Sequence, residues 1–255
     1  MEKIAPECNI FTFFATGFGH RSLFTVAALL AVKAAAHGAV TSYVIDGVTY
    51  PGYQGFSPGS GPETIERQWS DYNPILSVSD PMMRCNGGTS APLSAPVTAG
   101  GKVRALWSQW THAQGPVMVW LFKCAGDFAS CDGSGAGWFK IDEMGMTAPP
   151  LSGTSWGTAV VMDQLYWEST IPAAIADGNY LIRHELLALH QANTPQFYPE
   201  CAQIVISGGG GQSPDASFLT EIPSYASASD PGVSIDIYSS TATTYTCPGP
   251  AVWAP

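Results

Sequence analysis

Asn179-Tyr180-Leu181-Ile182-Arg183-His184-Glu185-Leu186-Leu187-Ala188-Leu189-His190 decides the fold, because its composition admits both regular structures. Leu, Ala and Glu permit a helix, whereas the turn signal Asp177-Gly178-Asn179 directly before it and the strand-like surroundings favour extended chain. We read it as β. The clearest neighbouring strand is Val117-Met118-Val119-Trp120-Leu121-Phe122. Ala39 to Asp46 alternates and closes on Asp46-Gly47, a hairpin turn pair. Further strands are expected over Lys102 to Trp110, Gln164 to Ile171 (stopped by Pro172), Ile204 to Ser207 and Ser234 to Tyr238. Tyr50 to Pro62 reads as a loop carrying Tyr50, Tyr53 and Phe56, and residues 63 to 100 have little periodicity, with prolines marking irregular connections. The run Gly208 to Gly211 reads as a flexible loop. Seven or more short strands with few helix signals predict an all-β, immunoglobulin/fibronectin-III-like antiparallel β-sandwich with long loops.

Composition narrows the function classes. The N-terminus has the order of an export signal: Arg21, the apolar run Leu23 to Val32, then small residues at Ala34-Ala35-Ala36. Residues 1–36 are therefore expected to be removed and residues 37–255 to form a single domain of a secreted, extracellular protein. No later segment reaches the roughly 18 uninterrupted apolar residues of a membrane span. After removal seven cationic and eighteen anionic residues remain, a net charge of −11. Such a surface disfavours nucleic acid, while an uncharged polymer is not repelled. Five cysteines survive processing, and export should oxidise them. Cys124 is expected to staple a local loop to Cys131, and Cys85 to bridge to Cys201, leaving Cys247 over.

Cleavage before His37 would put an α-amino group and an imidazole on one residue, a pair of nitrogen donors suited to copper. Alternatively His37 is an ordinary strand residue behind a cleavage site. His112, in Trp110-Thr111-His112-Ala113-Gln114-Gly115-Pro116, lies between two strands, where it is either a solvated loop residue or a third nitrogen. His184-Glu185 invites comparison with the HExxH zinc-protease signature, but His190 follows His184 by six positions rather than four. On a strand the two would stand about 20 Å apart at roughly 3.3 Å per residue, so His184 reads as an interior histidine. Tyr198, in Pro195-Gln196-Phe197-Tyr198-Pro199-Glu200-Cys201, is held rigidly enough for either packing or ligation.

Together these pieces resemble the fungal copper-dependent lytic polysaccharide monooxygenases of auxiliary activity family 9, once grouped with glycoside hydrolases. The resemblance runs from His37-Gly38 through Gly115-Pro116-Val117, Cys131-Asp132-Gly133, Trp138-Phe139-Lys140-Ile141, Tyr180 to Glu185, Ala188-Leu189-His190 and Gln196 to Cys201, to Pro248-Gly249-Pro250. It implies one copper per chain held by the amine and ring of His37 and by His112, with Tyr198 axial. It implies His190 and Gln196 as an outer pair acting on oxygen species, the Cys85–Cys201 bridge, and Tyr238 as a surface aromatic on polysaccharide, with Tyr53 assisting. The implied reaction is oxidative cleavage of β-1,4-glucan at C1 and/or C4, with cellulose as the substrate and hemicellulose as a further candidate. It uses an external electron donor with O2 or H2O2, by a monomer at a cellulose surface. Two rival readings share the fold: a non-catalytic carbohydrate- or copper-binding module, and a hydrolase, which would need two carboxylates at a defined separation.

Overall fold

The ambiguous stretch is a strand, and it runs through the interior of a sheet. The computed structural model describes residues 37–59 and 61–255; the export signal expected over 1–36 lies outside them. The described strands are β1 (Val40–Ile45), β2 (Val48–Pro51), β3 (Ala95–Thr98), β4 (Lys102–Trp107), β5 (Val117–Lys123), β6 (Trp138–Met144), β7 (Tyr166–Thr170), β8 (Gly178–Ala188) and β9 (Gln196–Ser207), with one α-helix, α1 (Gly157–Gln164), and a short 3-10 turn at Pro81–Met83. They form a four-stranded sheet ordered β2-β1-β4-β7 and a five-stranded sheet ordered β3-β9-β8-β5-β6. No helix among the described residues is long and apolar enough to cross a membrane.

β8 is buried on both faces, and this explains its sequence. Tyr180, Ile182, Leu186 and Ala188 pack with Val40, Tyr43, Val103 and Ala105 of the other sheet. Leu181 and Leu187 turn the opposite way, into a second cluster with Trp120, Trp138 and Phe197. A strand covered on both sides has no polar face, so the period-two signal disappears and only an apolar run remains. The polar residues of its outer face are satisfied internally. Arg183 Nη1 pairs with Glu185 Oε2 at 2.6 Å, its Nε and Nη2 donate to the main-chain oxygen of Met83, and Tyr225 Oη donates to Glu185 Oε1 at 2.8 Å.

Several expectations are corrected. The larger sheet is mixed, since β3 lies parallel to β9 while the other pairings are antiparallel. β3 contains Pro96, which cannot donate to a ladder and is tolerated at this outer edge. β2, β3 and β6 emerge where no strand was expected. β9 starts at Gln196 rather than near Ile204, with Pro199 in the half that lacks β3 alongside. The expected strand at Gln164 begins instead as the end of α1, which stops on Leu165 in the left-handed region at φ 58°. Ser234 to Tyr238 is a turn: Asp236 Oδ1 accepts from the main-chain N–H of Tyr238, a local bond that competes with strand pairing. Gly208 to Gly211 is tied down, with Gly209 N–H on Asp177 Oδ1 and Gly210 N–H on Ala173. The hairpin turn at Asp46-Gly47 is as expected, both residues having positive φ. Both disulfides are present, Cys85–Cys201 and Cys124–Cys131, and Cys247 is a buried free thiol.

Candidate metal centre and substrate face

The residues ahead of β1, the loop from β4 to β5 and the loop from β8 to β9 meet at one end of the sandwich. His37 comes from the first, His112 from the second and His190 from the third, while Gln196 and Tyr198 stand on the first residues of β9, directly after that loop. Two glycines let these backbones touch. A Cβ on Gly38 would stand 2.0 Å from the Gln109 carbonyl oxygen, and one on Gly115 would stand 1.8 Å from that of Leu187. Gln109 also donates from Nε2 to the His37 carbonyl. The His112 loop is pinned from behind by buried Thr158 of α1, whose hydroxyl reaches the carbonyls of Ala113 at 2.9 Å and Gly115 at 3.0 Å.

These contacts bring four of the expected residues together as rings. The His37 and His112 centroids are 5.9 Å apart, those of His37 and Tyr198 5.8 Å, and His190 stacks on His112 at 3.9 Å and 7°. Trp110 packs edge-on against both His112, at 5.2 Å, and Tyr198, at 4.8 Å. A metal–nitrogen bond of about 2 Å, plus about 1 Å to the ring centre, allows one ion to bridge two imidazoles about 6 Å apart. The fit is strengthened by His112 Nε2, a buried nitrogen without a hydrogen-bond partner. A buried polar atom left unpaired is costly, and a metal bond would satisfy it. Among the described residues no three His, Cys, Asp or Glu side chains group as a metal site. A third strong donor must therefore come from elsewhere, and the α-nitrogen of His37 is the nearest in sequence.

Electrostatics keep the imidazoles neutral, which is the ligating form. Burial, then His190 and His37, push His112 down to about 4; burial also lowers His37, against the pull of Asp71, and lowers His190. Burial and then Glu200 raise the Tyr198 phenol, which remains protonated and donates to Gln196 Oε1 at 2.9 Å.

Tyr238 is 61% exposed, and its hydroxyl donates to the His190 carbonyl at 3.0 Å, so its ring is fixed to the rim of this group. Tyr53, expected to assist, is 9% exposed and packs with Ala39, Trp69 and Tyr72. That placement suits packing and corrects the expectation of a stacking surface there. The outward ring of that loop is Phe56, 41% exposed and 5.6 Å from Tyr72. Both aromatics sit in one Gly/Pro/Ser loop, and sequence alone does not show which turns out. His184 is interior, as read, lying 5.7 Å from Tyr43 and 6.4 Å from Trp107. It takes no part in the group, which disposes of a zinc-protease reading.

Comparison with known proteins gives the family. The sequence profile of Auxiliary Activity family 9 (formerly GH61) matches residues 37–245. The chain is 54% identical over 246 residues to AA9 family lytic polysaccharide monooxygenase D of Thermothelomyces thermophilus, covering 92% of this chain and 94% of the relative. It is 46% identical over 237 residues to AA9 family lytic polysaccharide monooxygenase B of Heterobasidion irregulare, covering 91% and 97%. Among solved structures it resembles a cellulose-active polysaccharide monooxygenase from M. thermophila, with TM-score 0.80 and 53% identity over 85% of this chain and 99% of that one.

Proposed function

Since the chain belongs to Auxiliary Activity family 9, the copper-dependent lytic polysaccharide monooxygenases, we propose that its copper is held by the α-amine and imidazole of His37 and the imidazole of His112. The observation that carries this is the partnerless, buried His112 Nε2 in a ring group that includes His37, whose ring centre is 5.9 Å away. The reading requires cleavage before His37, with residues 37–255 acting as one secreted catalytic domain and as a single chain. It is supported by the family match beginning at residue 37.

Bound copper supplies one-electron redox chemistry, cycling with an external donor and activating O2 or H2O2. The protein's own groups do the rest. Tyr198 keeps its phenolic proton and closes one side of the centre, oriented by its bond to Gln196 Oε1. That bond occupies the Gln196 Oε1 and leaves the amide –NH2 to donate to an oxygen co-substrate. His190, stacked on His112, holds its imidazole beside the centre and can give or take a proton through a ring nitrogen. Tyr238 offers an outward ring for stacking on a sugar, at low entropy cost because its hydroxyl is already fixed.

The substrate is a β-1,4-glucan surface, in keeping with the cellulose activity named for the M. thermophila relative. One oxygen atom enters at C1 or C4, and the hydroxylated carbon expels its neighbour. The test is incubation with cellulose, copper and ascorbate. Aldonic or C4-oxidised oligosaccharides are expected; their absence from copper-loaded protein, or plain reducing-end release without reductant, would overturn the proposal.

A further inference from the structure

Among the described residues the cations of this acidic chain are nearly all paired. Arg84 meets Asp132, Lys102 and Arg104 meet Glu168, Lys140 meets Glu143, and Arg183 meets Glu185. Lys123 lies 5.8 Å from the centre of the Tyr180 ring. Arg67 departs from the pattern. It is 2% exposed, yet no carboxylate lies within ion-pair distance. Its Nη2 donates to the main-chain oxygens of Cys131, at 2.5 Å, and Phe128, at 3.4 Å, and to Gln203 Oε1 at 3.4 Å. Its Nε is buried with no partner at all. Burying a cation without a counter-charge is expensive, because carbonyl dipoles replace only part of the lost hydration. Consistently, burial pushes the Arg67 guanidinium down to about 10, even with Asp132 pulling the other way.

Arg67 lines a cavity of about 400 Å3, and Arg84 lines it too, with its own Nε buried and unpartnered. Thr89 and Ser90 add hydroxyl-bearing residues to the wall. Asp132 is also there, but its oxygens are engaged, Oδ2 by Arg84 at 3.2 Å and Oδ1 by the Ser134 N–H at 2.9 Å. Two arginines and one carboxylate, already committed to Arg84, line the cavity, so its wall carries surplus positive charge in a chain that is otherwise strongly negative. Half-cystines Cys85 and Cys131 belong to the lining, and their disulfides hold the walls in place. None of the lining residues belongs to the His37–His112 group.

We propose that this cavity is a binding site for a small oxyanion, a carboxylate or phosphate group, with Arg67 and Arg84 as its cationic walls. A guanidinium presents parallel N–H donors that match either group, and the contact would supply the counter-charge that Arg67 lacks. The proposal is independent of the copper chemistry.

The test is a titration of the copper-loaded protein with sodium acetate and, separately, with inorganic phosphate, followed by the backbone amide signals of Gly87, Gly88, Thr89 and Ser90. Sodium chloride at matched ionic strength is the control. Saturable shifts with either oxyanion, weakened tenfold or more in a folded Arg84→Gln variant, are the expected result. Arg84 is partly exposed, so this variant avoids the folding risk of replacing buried Arg67. No saturable shift with either probe, equal shifts with chloride, or unchanged binding in the variant would overturn the proposal.

Discussion

Truncating His112 to Ala removes a nitrogen that is already buried and unpaired in the fold, so stability should change little while copper binding collapses. We expect at least the roughly 100-fold loss of affinity seen when a residue that only orients a metal ligand is removed, since His112 is a ligand itself. Isothermal titration with copper checks it. His184 is also buried with both ring nitrogens unpartnered, but its consequence is for stability. Burial lowers it to about 3, against roughly 6.5 in an unfolded chain. Between those values the unfolded state binds a proton that the native state refuses. Its contribution is therefore intact above about pH 6.5 and erodes as pH falls towards 3, by up to ~1.4 kcal/mol per pH unit. Buried Glu66 and Glu200 are raised and act with the opposite sign, so the informative quantity is a difference. The stability advantage of wild type over His184→Phe, from denaturant unfolding, should shrink as pH drops from 6.5 to 4; a constant gap would contradict the assignment.

At the scale of elements, the loop from β4 to β5 is where geometry is most tightly specified. Gly115, at φ 143°, lies against the Leu187 carbonyl of the strand that leads to His190. Gly115→Ala should therefore force the two segments apart and weaken copper binding, although residue 115 contacts no metal; copper titration beside a circular-dichroism check reads both effects. The two disulfides should differ in weight. Cys85–Cys201 spans 116 positions and Cys124–Cys131 spans 7. In the chain-entropy model the long bridge contributes about 4–5 kcal/mol and the short one about 2–3 kcal/mol. Thermal unfolding of the paired Cys→Ala variants should rank in that order. Strand legibility follows the same local logic. β5 and the turn at Asp46-Gly47 carry strong local signals and are found where expected. β3 contains a proline and is paired on one side, and α1 is only eight residues long, with a tertiary role in pinning the His112 loop. Neither has a periodic signature, and both are fixed by what they pack against.

For the whole molecule, the two-sheet architecture follows from many short strands and turn residues; His37 and His112 stand out as nitrogen donors, whereas Tyr198, His190 and Gln196 are picked out only by the resemblance to the family. What the sequence could not convey is which side chains face outward. Tyr53 and Phe56 sit in one loop with similar surroundings, yet the former is enclosed by Trp69 and Tyr72 and the latter is exposed. Likewise, Arg67 looks like any surface arginine until its burial and lack of an ion-pair partner are seen. The parallel docking of β3 on β9 is a long-range pairing with no local code. Charge is the property legible at full scale: a net of −11 after residue 36 fits an enzyme working on an uncharged polymer.

The most direct test of the central claim is copper titration of the protein beginning at His37, run beside a form that retains one extra residue ahead of it. The account predicts one tightly bound copper per chain in the first, and binding weaker by at least about 1.4 kcal/mol, tenfold, in the second, where the α-amine is tied up as an amide. Equal affinity in the two forms would show that the His37 amine is not a ligand, and would contradict the site as assigned.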